Sequence, residues 1–346
     1  MNQAKRVFKV LVTWGCLAGV LTVSAEAQQK SSKPLRLLQT VSLSGFTGDF
    51  DHFAVDEKRN RLFLAGEDHK TVEVFDLKTG HRLKSIPGFG TPHSIFYLPE
   101  DDRILVTDSE KGLQILRGAD YKLVGHVDGL AGADSGRLDS AAHILYIVTG
   151  GKDVPLDHSF LVAIDLRNHK KIGELRFESN HVEAFALEPG TSRLFINITD
   201  KGEVAVVDRK SMQVIARWPV QVAAENSPMI YDADHHRLLL VCRKPAMFVA
   251  LDSDTGKVVA NLPAVGRSDD IAFDPSSGRI YVPGGEGYIS IFHQDSADQY
   301  SLVANVPSAQ GAKTSLLLPA LDRYFVAVSP GKTKAPAKLL IFEIVR

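Results

Sequence analysis

The chain has 346 residues, 44% of them apolar, and a formal net charge of −1. That length suffices for a large core, and the absence of a long basic run argues against a nucleic-acid partner. Two cysteines, Cys16 and Cys242, cannot make a disulfide-framework protein.

In chain order, Lys5, Arg6 and Lys9 precede an apolar run from Val10 to Val23 that is too short to span a bilayer. Ala25-Glu26-Ala27 then offers a small-x-small cleavage site. Residues 1–27 therefore read as a Sec-type signal peptide, which places the mature protein in the periplasm or the secreted fraction. Its removal takes away Lys5, Arg6, Lys9 and Glu26 and changes the net charge from −1 to −3. Cys16 would leave with it, and Cys242, inside the apolar run RLLLVCRK, is expected to be a buried, inert thiol. Residues 28–34 are polar and read as a flexible leader. No later segment resembles a membrane span, so no membrane association is expected after cleavage.

Residues 35–346 are read as one domain. LRLLQTVSL from Leu35 resembles an outer strand that arrives before any complete unit. The first full unit contains TVEVFDLKTG, Thr71 to Gly80: apolar residues at alternate positions, then Asp, then a turn closed by Gly. This pattern returns from Leu161, Val204 and Phe248, with looser copies from Leu113, Ile289 and Leu339. A second landmark precedes each core strand, a basic residue followed by three apolar ones: Arg61, Arg103, Arg193, Arg237, Arg279 and Arg323, with Ile144 in the third unit. Successive landmarks lie 41 to 49 residues apart, the period of a four-stranded propeller blade. The last unit supplies only three strands. The fold expected is all-β: a seven-bladed β-propeller of four-stranded antiparallel blades, closed by the N-terminal strand joining the last blade.

The stretch VEVFDLKTGHRLKSIPGFGTPHSIFYLPEDDRILVTDS resembles the YVTN-type repeat of YncE-like, quinoprotein-amine-dehydrogenase-like propellers. Asp76, Thr79, Gly80, Gly90 and Pro92 match that repeat. The resemblance implies architecture more than activity, since propellers host enzymes, binding modules and scaffolds. ALDSDTGK from Ala250 is similar to the blade motif of pyrroloquinoline-quinone (PQQ) dehydrogenases, but Ala260 stands where their docking Trp would be. No PQQ is therefore expected. Nor is covalent haem, as there is no C-x-x-C-H.

Ten residues before each landmark stand Asp51, His93, Asp134, Glu183, Ser227, Asp269 and Lys313. In a propeller these equivalent positions lead into the innermost strands and should ring one mouth of the central channel. Two residues later the column is mostly Phe, Ile or Met, an apolar collar. The ring, with His52 and Asp270 beside it, is the candidate ligand site; Asn180, His181 and Asn226 could assist. A divalent ion such as Ca²⁺ or Zn²⁺ is a possible guest, with Asp51, His93, Glu183 and Asp269 as its ligands. Channel water and strand caps also favour polar residues at these positions. The insertion GGKDVPLDHS from Gly150 could bring Asp153, Asp157 and His158 over the mouth, and SPGKTKAPAK from Ser329 could bring Lys332, Lys334 and Lys338 to the same face.

Three functions stay open. The first is binding of a small molecule or a periplasmic or extracellular protein at the ring, without clear catalysis. The second is a metal-dependent hydrolase of lactonase or gluconolactonase type at the same mouth, with His93 or His52 as base. The third is a pure protein-interaction scaffold. A monomer is expected.

Overall fold

The computed structural model describes residue 1, residues 33–330 and residues 335–346. Residues 2–27 of the expected signal peptide, residues 28–32 of the leader, and Lys332 and Lys334 lie outside the described residues. Pro34, the end of the expected flexible leader, is tied down: its carbonyl accepts the Val345 N–H at 2.9 Å.

Seven four-stranded antiparallel sheets follow one another along the chain. The innermost strands are Phe53–Asp56, Pro92–Leu98, Gly136–Asp139, Val182–Leu187, Ala224–Asp232, Ala272–Asp274 and Thr314–Leu318. Each blade is a meander from the channel outward. The first blade continues through Arg61–Gly66 and Thr71–Asp76 to Arg82–Pro87. The last blade has only three strands after Lys313 and takes Leu35–Leu43 as its fourth, paired antiparallel with Ala337–Ile344. The only helical turns among the described residues are Thr199–Lys201 and Pro319–Leu321.

The alternating pattern has a different physical origin from the half-buried strand it suggests. In Thr71–Asp76 every residue except Asp76 is buried. Alternate side chains serve opposite neighbours. Val72 and Val74 pack with Ile104 and Val106 of the second blade, while Phe75 joins Phe325 and Ala327 of the seventh. Each blade is sandwiched between two others, so period-2 alternation here sorts residues between two interfaces. Water is met in the outer strands, as in Gln213–Pro219, where exposed and half-buried residues alternate.

The turn and landmark residues have specific work. Asp76 Oδ1 accepts the Thr79 N–H and hydroxyl, both at 2.8 Å, and Gly80 closes the turn at φ 67°. Asp252, Thr255 and Gly256 repeat the device. Two landmark arginines reach back to an acid at the end of the innermost strand, Arg61 to Asp56 at 2.6 Å and Arg193 to Glu188, while Arg237 pairs with Asp252 at 2.9 Å. Where Ile144 replaces the arginine, Arg209 from the next blade pairs with Asp139 at 2.6 Å. Cys242 is buried, and burial pushes its thiol up to about 12.

Ring closure depends on Leu35–Leu43, whose end residues Leu35 and Leu43 are both buried. Burial of those two side chains alone accounts for about 3–6 kcal/mol, a large part of the stability of an ordinary domain. A chain lacking residues 35–43 should therefore melt far lower and elute as aggregate, because it opens a sheet edge as well. Calorimetry and size-exclusion chromatography check this; an unchanged melting temperature would show that the ring closes without that strand.

Candidate functional site

The seven positions of the expected ring lie together. Asp51, His93, Asp134, Glu183, Ser227, Asp269 and Lys313 all line one cavity of about 230 Å³ at a mouth of the channel, as does His52. Four further charged groups line it: Glu67, Arg243, Lys152 and Asp153. Asp270 is placed elsewhere. It lines a second, deeper chamber of the channel, and His52 lies in the wall of both.

The ring is a circuit of opposite charges that crosses blade boundaries. His93 Nδ1 donates to Asp51 Oδ2 at 2.6 Å and lies 3.6 Å from Asp134; its Nε2 is 2.8 Å from Ser109 Oγ. Lys152 and His181 flank Glu183 at 3.4 and 2.6 Å. Arg243 and Lys313 both pair with Asp269, the latter at 2.6 Å, and Lys313 continues to Asp49 at 2.9 Å. His52 stands 3.4 Å from Asp51 on one nitrogen and 3.4 Å from Asp270 on the other.

These neighbours set the protonation states. Burial opposes charge on His93 and His52, but the carboxylates around them outweigh it: Asp134 and Asp51 for His93, Asp51 and Asp270 for His52. Both imidazoles are raised to about 10. Burial would lift Asp51, yet His52 and His93 hold it well below the usual carboxylate range. Against burial, His181 and Lys152 lower Glu183 to about 2. Glu67 goes the other way. Burial, with Asp51 next, pushes its carboxyl up to about 8. Burial also lifts Asp134 to about 6, although His93 pulls it down. A neutral carboxylic acid thus shares the cavity with two imidazolium ions.

The expected metal set is only partly assembled. The cluster whose ligand atoms all lie within 4.8 Å of one another is Asp51, His93 and Asp134. Glu183 and Asp269 are instead matched to the cations named above. His93 also has both nitrogens engaged, so a metal there must first displace a proton from the imidazolium.

The assisting residues divide. His181 supports Glu183. Asn226 is fully buried and turned into the blade, where its Nδ2 donates to Asn197 Oδ1 at 2.6 Å and joins the fourth and fifth blades. From the Gly150 insertion, Asp153 and Lys152 reach the cavity, whereas Asp157 and His158 pair with each other at 2.6 Å away from its lining. Lys338 lies in the strand Ala337–Ile344 and does not line the cavity. Sequence reasoning missed Glu67 and Arg243, although a signal was present. Both stand six residues after a landmark, the register position that also holds Ser109 and Thr199.

Among solved structures, the WD40 repeats of RRP9 superpose with a TM-score of 0.72 at 11% identity, over 90% of this chain and 98% of that one. No protein-family model matches the chain, and no curated protein does. As many as 1741 solved chains match, so at this identity the likeness speaks for the fold alone. The chain is a seven-bladed, WD40-like β-propeller, a scaffold compatible with ligand or protein binding.

The raised histidines fix a pH dependence. In a group whose folded value is raised, the stabilisation is complete below the unfolded value of 6.5 and is lost as pH climbs through about 10. The melting temperature should fall between those limits, and His93→Gln should flatten the fall. Melting curves across that range test this; equal slopes for variant and parent would sink the assignment.

Proposed function

We propose that this chain is a secreted or periplasmic YncE-like propeller that binds a small zwitterionic or hydroxyl-rich solute at the charged mouth of its channel. One observation carries the reading: a cavity in which six acidic side chains (Asp51, Glu67, Asp134, Asp153, Glu183, Asp269) face five basic ones (His52, His93, Lys152, Arg243, Lys313). Such a lining has no single-sign field to draw a polyanion or a bare cation. It offers donors and acceptors side by side, which suits a solute bearing both charges or many hydroxyls. The signal-like residues 1–27 and the repeat resemblance support the location and the family.

The experiment is a thermal-shift panel of free amino acids, betaines and sugar acids, followed by titration calorimetry. At least one member should raise the melting temperature. Arg243→Gln and Asp134→Asn should each weaken its binding about tenfold or more, since each removes a charge-assisted contact. Unchanged affinity in both variants would refute a site at the ring.

A second reading, a metal-dependent lactonase-type hydrolase, is favoured by the Asp51, His93 and Asp134 cluster. A metal there would polarise a carbonyl or activate water. Because His93 must lose a proton to ligate, Ca²⁺ or Zn²⁺ should stabilise the protein more at alkaline than at neutral pH. Stabilisation independent of pH, or none, would count against this reading.

A further inference from the structure

Below the charged ring, the channel holds a chamber of about 320 Å³ that reaches Pro319 at the far end of the last inner strand. Its chemistry differs from the mouth. Phe53, Ile95, Phe96, Ile271, Phe273 and Leu316 contribute apolar walls. The charged side chains among its lining residues are His52, Asp270 and Arg137.

Asp270 is committed. Its Oδ2 accepts the Ser315 N–H at 2.8 Å, and its Oδ1 faces His52 Nδ1 at 3.4 Å. Arg137 is not. Among the described residues it makes one hydrogen bond, from Nη1 to the carbonyl of its neighbour Gly136 at 2.7 Å, and no ion pair. The Phe185 ring lies 5.8 Å from the guanidinium carbon. Burial draws Arg137 below its usual value, and the more distant Asp270 restores only part of it. Arg137 is half-buried in the chamber wall, and its spare donors are open to a solute that can accept from them. The planar fork fits a carboxylate in two parallel hydrogen bonds, and the walls fit an apolar body.

We propose that this chamber is a second binding site, separate from the ring, for a small carboxylate with an apolar body: its carboxylate on Arg137, its body against Phe53, Ile95, Ile271 and Leu316. The inference does not rest on the reading of the mouth, and its test leaves the ring untouched.

Benzoate, benzamide and inorganic phosphate serve as probes in titration calorimetry with the purified full chain. Benzoate should bind at one site, and benzamide and phosphate about tenfold or more weakly, since each lacks one half of the match. Arg137→Gln should weaken benzoate to the same degree while melting close to the parent, because it removes a half-buried charge that makes no ion pair among the described residues. In the unmutated protein, the Arg137 Nε–H resonance should shift as benzoate is added, a readout that needs no variant. The proposal is overturned if benzoate does not bind at millimolar concentration, if benzamide or phosphate binds equally well, or if the Arg137 resonance stays still. It is equally overturned if Arg137→Gln binds unchanged or unfolds, which would make the arginine structural.

Discussion

Face-to-face burial between blades is the constraint on which the molecule rests. No blade covers its own apolar surface. Phe75 is buried by the seventh blade and Val74 by the second, and comparable shared cores recur around the ring. A four-stranded sheet exposed on both faces has little independent stability. The ring is therefore cooperative by construction, and the equivalent residue of every blade is forced to the same radius and depth.

The charged mouth follows from that equivalence. Seven loops deliver seven side chains to one rim, where charges of one sign would repel at close range. The sequence places signs so that neighbours cancel: Asp51 with His93, Glu183 with Lys152, Asp269 with Arg243 and Lys313. The result joins loops of adjacent blades and leaves a polar, nearly balanced cavity. Glu67 escapes the pattern. Burial, with Asp51 next, outweighs the pull of His93 and Lys313 and pushes its carboxyl up to about 8.

Much of this was legible before the structure, because a repeat turns register into geometry. Counting ten residues back from Arg61 and its counterparts found the rim, since the distance from the second strand to the start of the first is nearly constant. The same counting run forward would have found Glu67 and Arg243. Asp270 was misplaced because register gives a residue's place along the chain and not the direction of its side chain: Asp269 lines the mouth while its neighbour lines the chamber below. The Gly150 insertion carries no period, and nothing in its sequence distinguished Lys152 and Asp153, which reach the cavity, from Asp157 and His158, which do not. Arg137 was invisible because nothing in the sequence tells that it makes no ion pair among the described residues, and only packing reveals that.

The pairing of Leu35–Leu43 with Ala337–Ile344 also sets an order of events. Six blades can assemble from strands that are neighbours in sequence. The seventh waits for contacts spanning some three hundred residues, such as Arg36 with Glu343. The entropic cost of closing so long a loop grows only slowly with length, but the closure delays the last step, and high contact order is slow. Until the final strand arrives, the nascent protein is an open horseshoe with two bare edges.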